Sequence, residues 1–183
     1  MILYIFLGVG LILVIYLISA YNGMVRFRNM VKTAWSGIDV QLKRRTDLIP
    51  NLIETVKGYA THERELLQKL TEARTSMINA GGDVKNAAQA ENQLNGVLKS
   101  LFMVAEAYPD LKANQNFLKL QEELSETEDQ VAASRRIYNE NVNHFNTRIE
   151  VFPNNLLAGI FGFKPYEFFE TDDAEKKPVA VKF

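Results

Sequence analysis

One repeat of apolar residues constrains this chain more than any other feature of its sequence. Between residues 31 and 77, positions spaced alternately four and three apart are apolar or small, with two charged exceptions. They are Val31, Trp35, Ile38, Leu42, Arg45, Ile49, Leu52, Val56, Tyr59, Glu63, Leu66, Leu70, Ala73 and Met77. Residues with this spacing form one narrow stripe on an α-helix, and a seven-residue repeat is typical of helices that pair along a coiled-coil-like seam. Such a long stripe must be covered by other helices.

Two later stripes predict the covering helices. One runs from Val84 to Tyr108 and the other from Phe117 to Phe152. A turn at residues 79–83 precedes the first, with Gly81 and Gly82 suited to end a helix and Asp83 suited to cap the next one. The sequence therefore predicts an all-α fold, in which residues 23–152 form an elongated antiparallel bundle of three to four long helices. The expected helices lie at about 23–79, 83–108 and 111–151.

An uncharged apolar segment precedes the bundle. Residues 2–21 contain no acidic or basic side chain, and Arg26 is the first. Twenty helical residues extend about 30 Å, the thickness of the hydrocarbon core of a bilayer. The alternative, a cleaved signal peptide, has a basic start, a shorter apolar run and small residues before the cut. The sequence favours a transmembrane helix over residues 1–22, which contacts membrane lipid through residues 2–21 and continues into the bundle.

Basic residues lie on the C-terminal side of this segment. Arg26, Arg28 and Lys32 follow it closely. The positive-inside rule then predicts that the N-terminus is outside and the C-terminal domain is cytoplasmic. The whole chain has a net charge of −1, so we expect no nucleic-acid partner.

Pro50 leaves two chain paths open. Proline inside a helix removes one hydrogen bond and costs about 3 kcal/mol, whereas in the first turn of a new helix it is tolerated. No glycine lies between residues 37 and 58 to permit a reversal, so we favour a kinked, continuous helix. On that path Phe152 is expected to lie away from the membrane, while a reversal at Pro50 would return it toward the bilayer.

Residues 153–170 are rich in aromatic and aliphatic side chains, but glycines and a proline interrupt them. The segment is too short to span a membrane. Three roles stay open: a lid on the end of the bundle, a surface for self-association or for another membrane protein, and shallow insertion into the bilayer interface. The candidate contact residues are Phe161, Phe163, Tyr166, Phe168 and Phe169. Residues 171–183 are predicted to be a flexible charged tail.

Patterns that indicate catalysis or metal binding are missing from the sequence. It contains no cysteine, which excludes a disulfide scaffold, a thiolate metal site and a cysteine nucleophile. His62-Glu63 begins like the helix of a zinc protease, but the second histidine would be needed at Leu66, and the remaining histidine is His144. We therefore expect no catalytic, cofactor-binding or metal-binding residue and no enzymatic activity.

Charged residues on the apolar stripe are interpreted as structural. Buried ion pairs usually fix the register and orientation of helices. The expected pairs join Glu63 to Arg74 or Arg135, and Arg45 to Asp39 or Asp47.

Several longer blocks of sequence are distinctive. The most specific are Ile38-Asp39-Val40-Gln41-Leu42-Lys43-Arg44-Arg45, Asp47-Leu48-Ile49-Pro50-Asn51-Leu52 and Glu106-Ala107-Tyr108-Pro109-Asp110-Leu111-Lys112-Ala113-Asn114. Over about residues 20–170 the chain resembles the LemA family. The resemblance implies a bacterial single-pass membrane protein with a soluble domain of the four-helix-bundle type. It implies no enzymatic activity and carries over no catalytic or cofactor-binding residue.

Two functions follow as expectations. The first is a non-enzymatic helical protein that self-assembles into a homo-oligomeric scaffold at the bacterial inner membrane, because parallel anchors raise the effective concentration of lateral contacts. The second is a cytoplasmic-side adaptor that recruits another membrane protein or a protease through the aromatic segment.

Overall fold

The computed structural model describes residues 1–60 and 63–170, and every regular element in these two ranges is a helix. In chain order the helices are α1 (Ile2–Lys57), α2 (Arg64–Asn79), α3 (Val84–Ala105), α4 (Pro109–Lys112), α5 (Gln115–Glu150) and α6 (Asn154–Phe161). This confirms the all-α fold with a long apolar N-terminal helix. The predicted tail at 171–183 lies outside the described residues. The described chain forms two compact units: unit 1 contains residues 1–36 and 136–167, and unit 2 contains residues 37–135 and 168–170.

The first helix is continuous through Pro50, which lies inside α1. The prediction of one helix over residues 23–79 is nevertheless wrong, because α1 ends at Lys57 and α2 begins at Arg64. Gly58 follows α1 directly, and glycine loses more conformational freedom in a helix than any other residue. The N–H groups of Tyr59 and Ala60 both bond to the carbonyl of Val56, at 3.0 and 2.8 Å, and so close the end of α1.

The turn between α2 and α3 has the local geometry that its sequence predicts. Gly81 and Gly82 have φ values of +61° and +84°, in the left-handed region that favours glycine. The Asp83 carboxylate accepts a hydrogen bond from the N–H of Asn86 at 2.8 Å, which caps α3.

The core of unit 2 is built from the apolar stripes of its helices. After the break at Lys57 the phase changes, so Tyr59 is exposed and α2 buries Leu67 instead of Leu66. The fully buried core side chains include Ile38, Ile49 and Leu52 of α1, Leu70 and Ala73 of α2, Leu94 and Leu101 of α3, and Phe117, Leu124 and Val131 of α5.

The region predicted as a single helix from residue 111 contains a second break. Pro109 starts the short helix α4 at a position where its missing N–H costs nothing. α5 begins at Gln115, and the side-chain oxygen of Asn114 caps it by accepting the N–H of Phe117 at 3.0 Å.

In unit 1 the end of α5 runs antiparallel to the first part of α1. A Cβ atom added at Gly23 would lie 3.1 Å from Arg148 Nη2, and the rings of Trp35 and Tyr138 are 5.6 Å apart. Phe152 therefore lies close in space to the N-terminal part of α1. The expectation that a helix continuing past Pro50 sends Phe152 away is wrong, because the chain turns after Lys57. Phe152 is also exposed, although the α5 stripe predicted it as a core residue.

The N-terminal part of α1 is long and apolar enough to cross a membrane. Its most apolar window has a mean hydropathy of 2.7, and no residue of that window is buried against the protein. A helix that exposes only apolar side chains is stable in hydrocarbon, where its backbone groups are satisfied internally.

Candidate functional site

A shallow groove follows the apolar segment in unit 1, between α1 and α5. Its volume is about 620 Å³. Met30 and Ile137 supply exposed apolar side chains to it, and Arg26 and Asn141 supply polar ones. Small side chains of α1 in this region, such as Ala34, leave room between the two helices. Apolar side chains accompanied by polar ones are the composition of many protein–protein contact surfaces.

The aromatic segment contributes mainly to packing within unit 1. The ring of Phe163 lies 5.9 Å from Tyr21 and 6.2 Å from Phe145, and the Arg28 guanidinium lies 5.3 Å above its face. Tyr166 packs edge-on against Phe145 at 5.4 Å. Two of the candidate contact residues, Phe163 and Tyr166, are thus engaged by the chain itself.

The other three candidate contact residues differ in exposure. Phe161 packs against Tyr21, with ring centroids 4.8 Å apart, but half of its surface remains exposed. Phe168 is exposed and Phe169 is buried. Of the five, only Phe161 and Phe168 offer substantial surface to another molecule.

Hydrogen bonds fasten the segment that carries these rings. The side-chain amide of Asn146 bonds twice to the backbone of Tyr166: Nδ2 donates to the carbonyl at 2.9 Å, and Oδ1 accepts the N–H at 2.9 Å. The Tyr138 hydroxyl donates to the carbonyl of Glu167 at 3.0 Å. Burial raises the pKa of Tyr138 to about 12, with smaller contributions from Tyr166 and Glu167.

Unit 2 contains a buried ionic cluster around Arg45, which is 1% exposed. Its Nη1 bonds to Glu91 Oε1 at 3.2 Å, and its Nη2 bonds to Glu128 Oε2 at 3.2 Å. Asn95 Nδ2 also donates to Glu91 Oε1 at 3.0 Å. The cluster joins α1, α3 and α5, which suits a structural role in setting the register of the helices.

The predicted partners of Arg45 are wrong. Asp39 and Asp47 are exposed, and Asp47 pairs with Lys43 on the surface at 3.2 Å. Residues two apart on a helix do not face each other, so Asp47 points away from the buried guanidinium. Glu91 is the buried carboxylate that pairs with Arg45. Its sequence position indicated burial, because it lies on the α3 stripe.

The predicted pair of Glu63 and Arg74 is replaced by hydrogen bonds of each residue with a different partner. Glu63 Oε1 accepts a hydrogen bond from the Tyr108 hydroxyl at 3.0 Å, and this bond, with burial and the nearby charge, raises the pKa of Tyr108. Arg74 Nε donates to the carbonyl of Thr46 at 3.4 Å. Arg135, the other expected partner of Glu63, lies partly buried in α5.

The two histidines are placed differently. His62 lies outside the described residues. The ring of His144 is 6.3 Å from that of Phe27, and its Nε2 is 3.7 Å from Glu140. Within residues 1–60 and 63–170, no group of three or more His, Asp or Glu side chains is arranged to hold a metal ion.

Comparison with known proteins identifies a family and several relatives. The LemA family model matches residues 34–183. Over 178 residues the chain is 29% identical to "Protein LemA" of Metamycoplasma hominis, covering 97% of this chain and 81% of that protein. Over 188 residues it is 26% identical to "Magnetosome protein MamQ 2" of Paramagnetospirillum magneticum and 23% identical to "Magnetosome protein MamQ" of Magnetospirillum gryphiswaldense. Each alignment covers 89% of this chain and 69% of the relative.

Proposed function

This chain belongs to the LemA family, and from that premise we propose that it is a non-enzymatic scaffold that self-assembles at the bacterial inner membrane. It is a membrane-anchored helical protein, with the apolar part of α1 as its anchor. The basic residues Arg26, Arg28 and Lys32 support an orientation with the N-terminus outside and the following domain in the cytoplasm.

The groove of unit 1 carries the proposal. It begins at Asn22, directly after the apolar segment, so every anchored copy presents it at the same distance from the bilayer. Anchoring in a common orientation raises the effective concentration of one copy around another. A contact smaller than a stable interface in solution is then sufficient for assembly.

A second copy is the occupant that this geometry favours. Met30 and Ile137 supply exposed apolar side chains to the groove, one from each helix, and Arg26 and Asn141 supply polar ones. An isologous contact would place the same patch on both sides, so the apolar side chains of one copy can pack against those of the other.

The test introduces a charge on the apolar lining of the groove. In an isologous contact Ile137→Lys places two like charges in one apolar interface, and we expect the oligomer to be lost. Ile78→Lys in α2 is the matched control, because Ile78 and Ile137 are both 56% exposed. The measurement is chemical cross-linking in native membranes, followed by mass determination of the detergent-extracted particle.

Two results of this experiment would count against the scaffold. Recovery of the unsubstituted chain only as a monomer would exclude self-assembly. Equal oligomer formation by the Ile137→Lys and Ile78→Lys variants would exclude the groove as the contact surface. Self-assembly would then have to use another surface.

The exposed rings of Phe161 and Phe168 support a second function, an adaptor for another membrane protein or a protease. Phe161→Ser and Phe168→Ser remove these surfaces without touching Met30 or Ile137. Loss of a co-purifying membrane protein while the oligomer persists would favour the adaptor. Loss of the oligomer in these variants would instead assign the rings to self-association.

A further inference from the structure

The chain around α6 is uncharged and mainly apolar, with Asn155 as the exposed polar residue of the helix. From Val151 to Phe163 there is no charged side chain, and Glu150 and Lys164 flank this stretch. One ridge of exposed apolar side chains consists of Leu156 and Ile160, spaced four apart on α6, and Phe152, which precedes the helix; they are 59%, 76% and 79% exposed. Large apolar side chains grouped on the outer face of a helix favour a cover there, from protein or from lipid.

The inner face of α6 already has its cover. Asn154, Leu157 and Ala158 are buried in the protein, so the orientation of the helix about its axis is fixed. Gly162, with φ +69°, ends the helix in a left-handed cap. The outward direction of Leu156 and Ile160 is therefore a property of the fold, and Phe152 precedes them at an exposed position.

Contacts with α1 set the height of α6 relative to the membrane anchor. At one end, the Tyr16 hydroxyl donates to Asn154 Oδ1 at 3.1 Å. At the other end, the rings of Tyr21 and Phe161 are 4.8 Å apart. α6 thus lies beside residues 16–21 of α1, which form the last part of the apolar segment.

The depth follows from helix geometry. Tyr16 precedes the end of the apolar segment at Tyr21 by five residues, which is about 7.5 Å along the helix axis. Helices that lie in a bilayer interface place their apolar face about 5–10 Å into the boundary between headgroups and acyl chains. The bond from Tyr16 also satisfies the one polar side chain on the buried face of α6, as an apolar medium demands.

Charged groups lie where headgroups would meet them. Arg148, in the last turn of α5, is next to Gly23, just beyond the apolar segment. Arg28 stacks over Phe163, at the end of the uncharged stretch. Cations and amphipathic aromatic rings at this level are typical of a membrane–water interface.

We propose that α6 is a second membrane contact, embedded in the same leaflet as the C-terminal end of the α1 anchor, with lipid covering the Phe152–Leu156–Ile160 ridge. The continuity of this ridge with the lipid-exposed surface of α1 selects lipid over a protein partner. The inference requires the anchor to span a bilayer, but it does not depend on self-assembly through the groove.

The experiment measures where single labels lie in the full-length chain. Because the chain has no cysteine, Leu156→Cys and Ile160→Cys each create one labelling site for an environment-sensitive fluorophore. Leu118→Cys and Ile78→Cys are the controls, since they replace exposed residues of the same types in helices of unit 2. The protein is reconstituted into vesicles of phosphatidylethanolamine and phosphatidylglycerol, with or without nitroxide-labelled lipids.

We expect nitroxide lipids to reduce the emission of labels at positions 156 and 160 several-fold and to leave labels at positions 118 and 78 nearly unchanged. Aqueous iodide should show the opposite pattern. Quenching by iodide at 156 and 160 as strong as at the controls would overturn the proposal, because α6 would then be in water. Protection from both quenchers would also overturn it, since a second copy or another protein would then cover the ridge. Disulfide cross-linking between Ile160→Cys chains identifies the second copy.

Discussion

Arg74 Nε donates a hydrogen bond to the carbonyl oxygen of Thr46 at 3.4 Å. In a regular helix this carbonyl would accept the N–H of residue 50, but Pro50 has no N–H to donate. A side chain from α2 therefore replaces the hydrogen bond that the proline removes from α1. This explains how a proline is tolerated inside a 56-residue helix without a new N-terminus.

Removal of this replacement donor is expected to destabilise the fold in a way that depends on Pro50. Arg74→Met should lower the free energy of unfolding by about 1 kcal/mol, the net contribution of one hydrogen bond. In a Pro50→Ala background the loss should be smaller, because the alanine N–H can bond to Thr46. Denaturant unfolding of the four variants of this double-mutant cycle measures the coupling. Arg64→Met, an exposed arginine at the start of α2, is the control, and equal losses from Arg74→Met in both backgrounds would exclude the explanation.

The ionic cluster predicts that substitutions of two adjacent arginines, Arg44 and Arg45, change the free energy of unfolding by very different amounts. Arg45→Met removes the guanidinium that pairs with Glu91 in the interior and should cost about 3–5 kcal/mol of unfolding free energy. Arg44→Met breaks only the exposed pair with Glu126 and should change stability by less than about 1 kcal/mol.

The same cluster predicts a rescue. Replacement of both buried partners, Arg45→Met with Glu91→Leu, should recover much of the stability lost in Arg45→Met, because no buried charge remains unpaired. Glu128→Gln should cost far less than Arg45→Met, since its side chain is 56% exposed and can be hydrated. Thermal or denaturant unfolding measures each variant, and a double variant no more stable than Arg45→Met would contradict the account.

The raised pKa of Tyr138 predicts that the folded chain loses stability at high pH. Its pKa is raised to about 12 in the folded chain, while an unfolded tyrosine titrates near 10. The neutral phenol is therefore favoured by folding, so its contribution is fully present below about pH 10 and is lost as the pH rises toward 12. Phenolate absorbance and unfolding, followed over this range, should show the effect. Tyr138→Phe should flatten the dependence between these two values, and an unchanged pH profile in that variant would assign it to other groups.

The two hydrogen bonds from Asn146 are expected to stabilise the aromatic segment locally. Asn146→Ala removes both hydrogen bonds to Tyr166, so the N–H of Tyr166 should exchange with solvent faster by at least an order of magnitude. Asn51→Ala, at an exposed position of α1, should leave that exchange rate unchanged. Hydrogen exchange followed by mass spectrometry of the peptide that contains Tyr166 provides the measurement.

The sequence predicted the elements whose signal is local. Spacing of apolar residues identified the buried stripes of α1, α3 and α5, and the glycines and Asp83 identified the turn before α3. The helix break after Lys57 was missed because Gly58 is a weaker helix-ending signal than Pro50. The hydrogen bond that Pro50 removes is replaced by Arg74, which lies 28 residues from its acceptor Thr46 and could not be identified from local sequence.

The spacing of apolar residues along one helix does not show which distant segments of the chain contact each other. Arg45 was recognised as a charge on an apolar stripe, but a stripe does not specify which helix supplies the partner, and Glu91 lies 46 residues away. The groove was missed for the same reason, because Met30 and Ile137 are brought together only by the antiparallel pairing of α1 and α5. Asn146 gave no signal, since a polar residue on a helix is ordinarily solvated.

The hydrogen bond between Tyr16 and Asn154 joins residues 138 positions apart. On the ribosome, the anchor and the α2–α3 hairpin are complete long before Asn154 is synthesised. Until then Met24 and Val31, both buried in the finished protein, remain uncovered beside the bilayer. Unit 1 can close only after Asn154 has been translated, so nascent chains truncated before α5 would expose an apolar surface to chaperones and proteases.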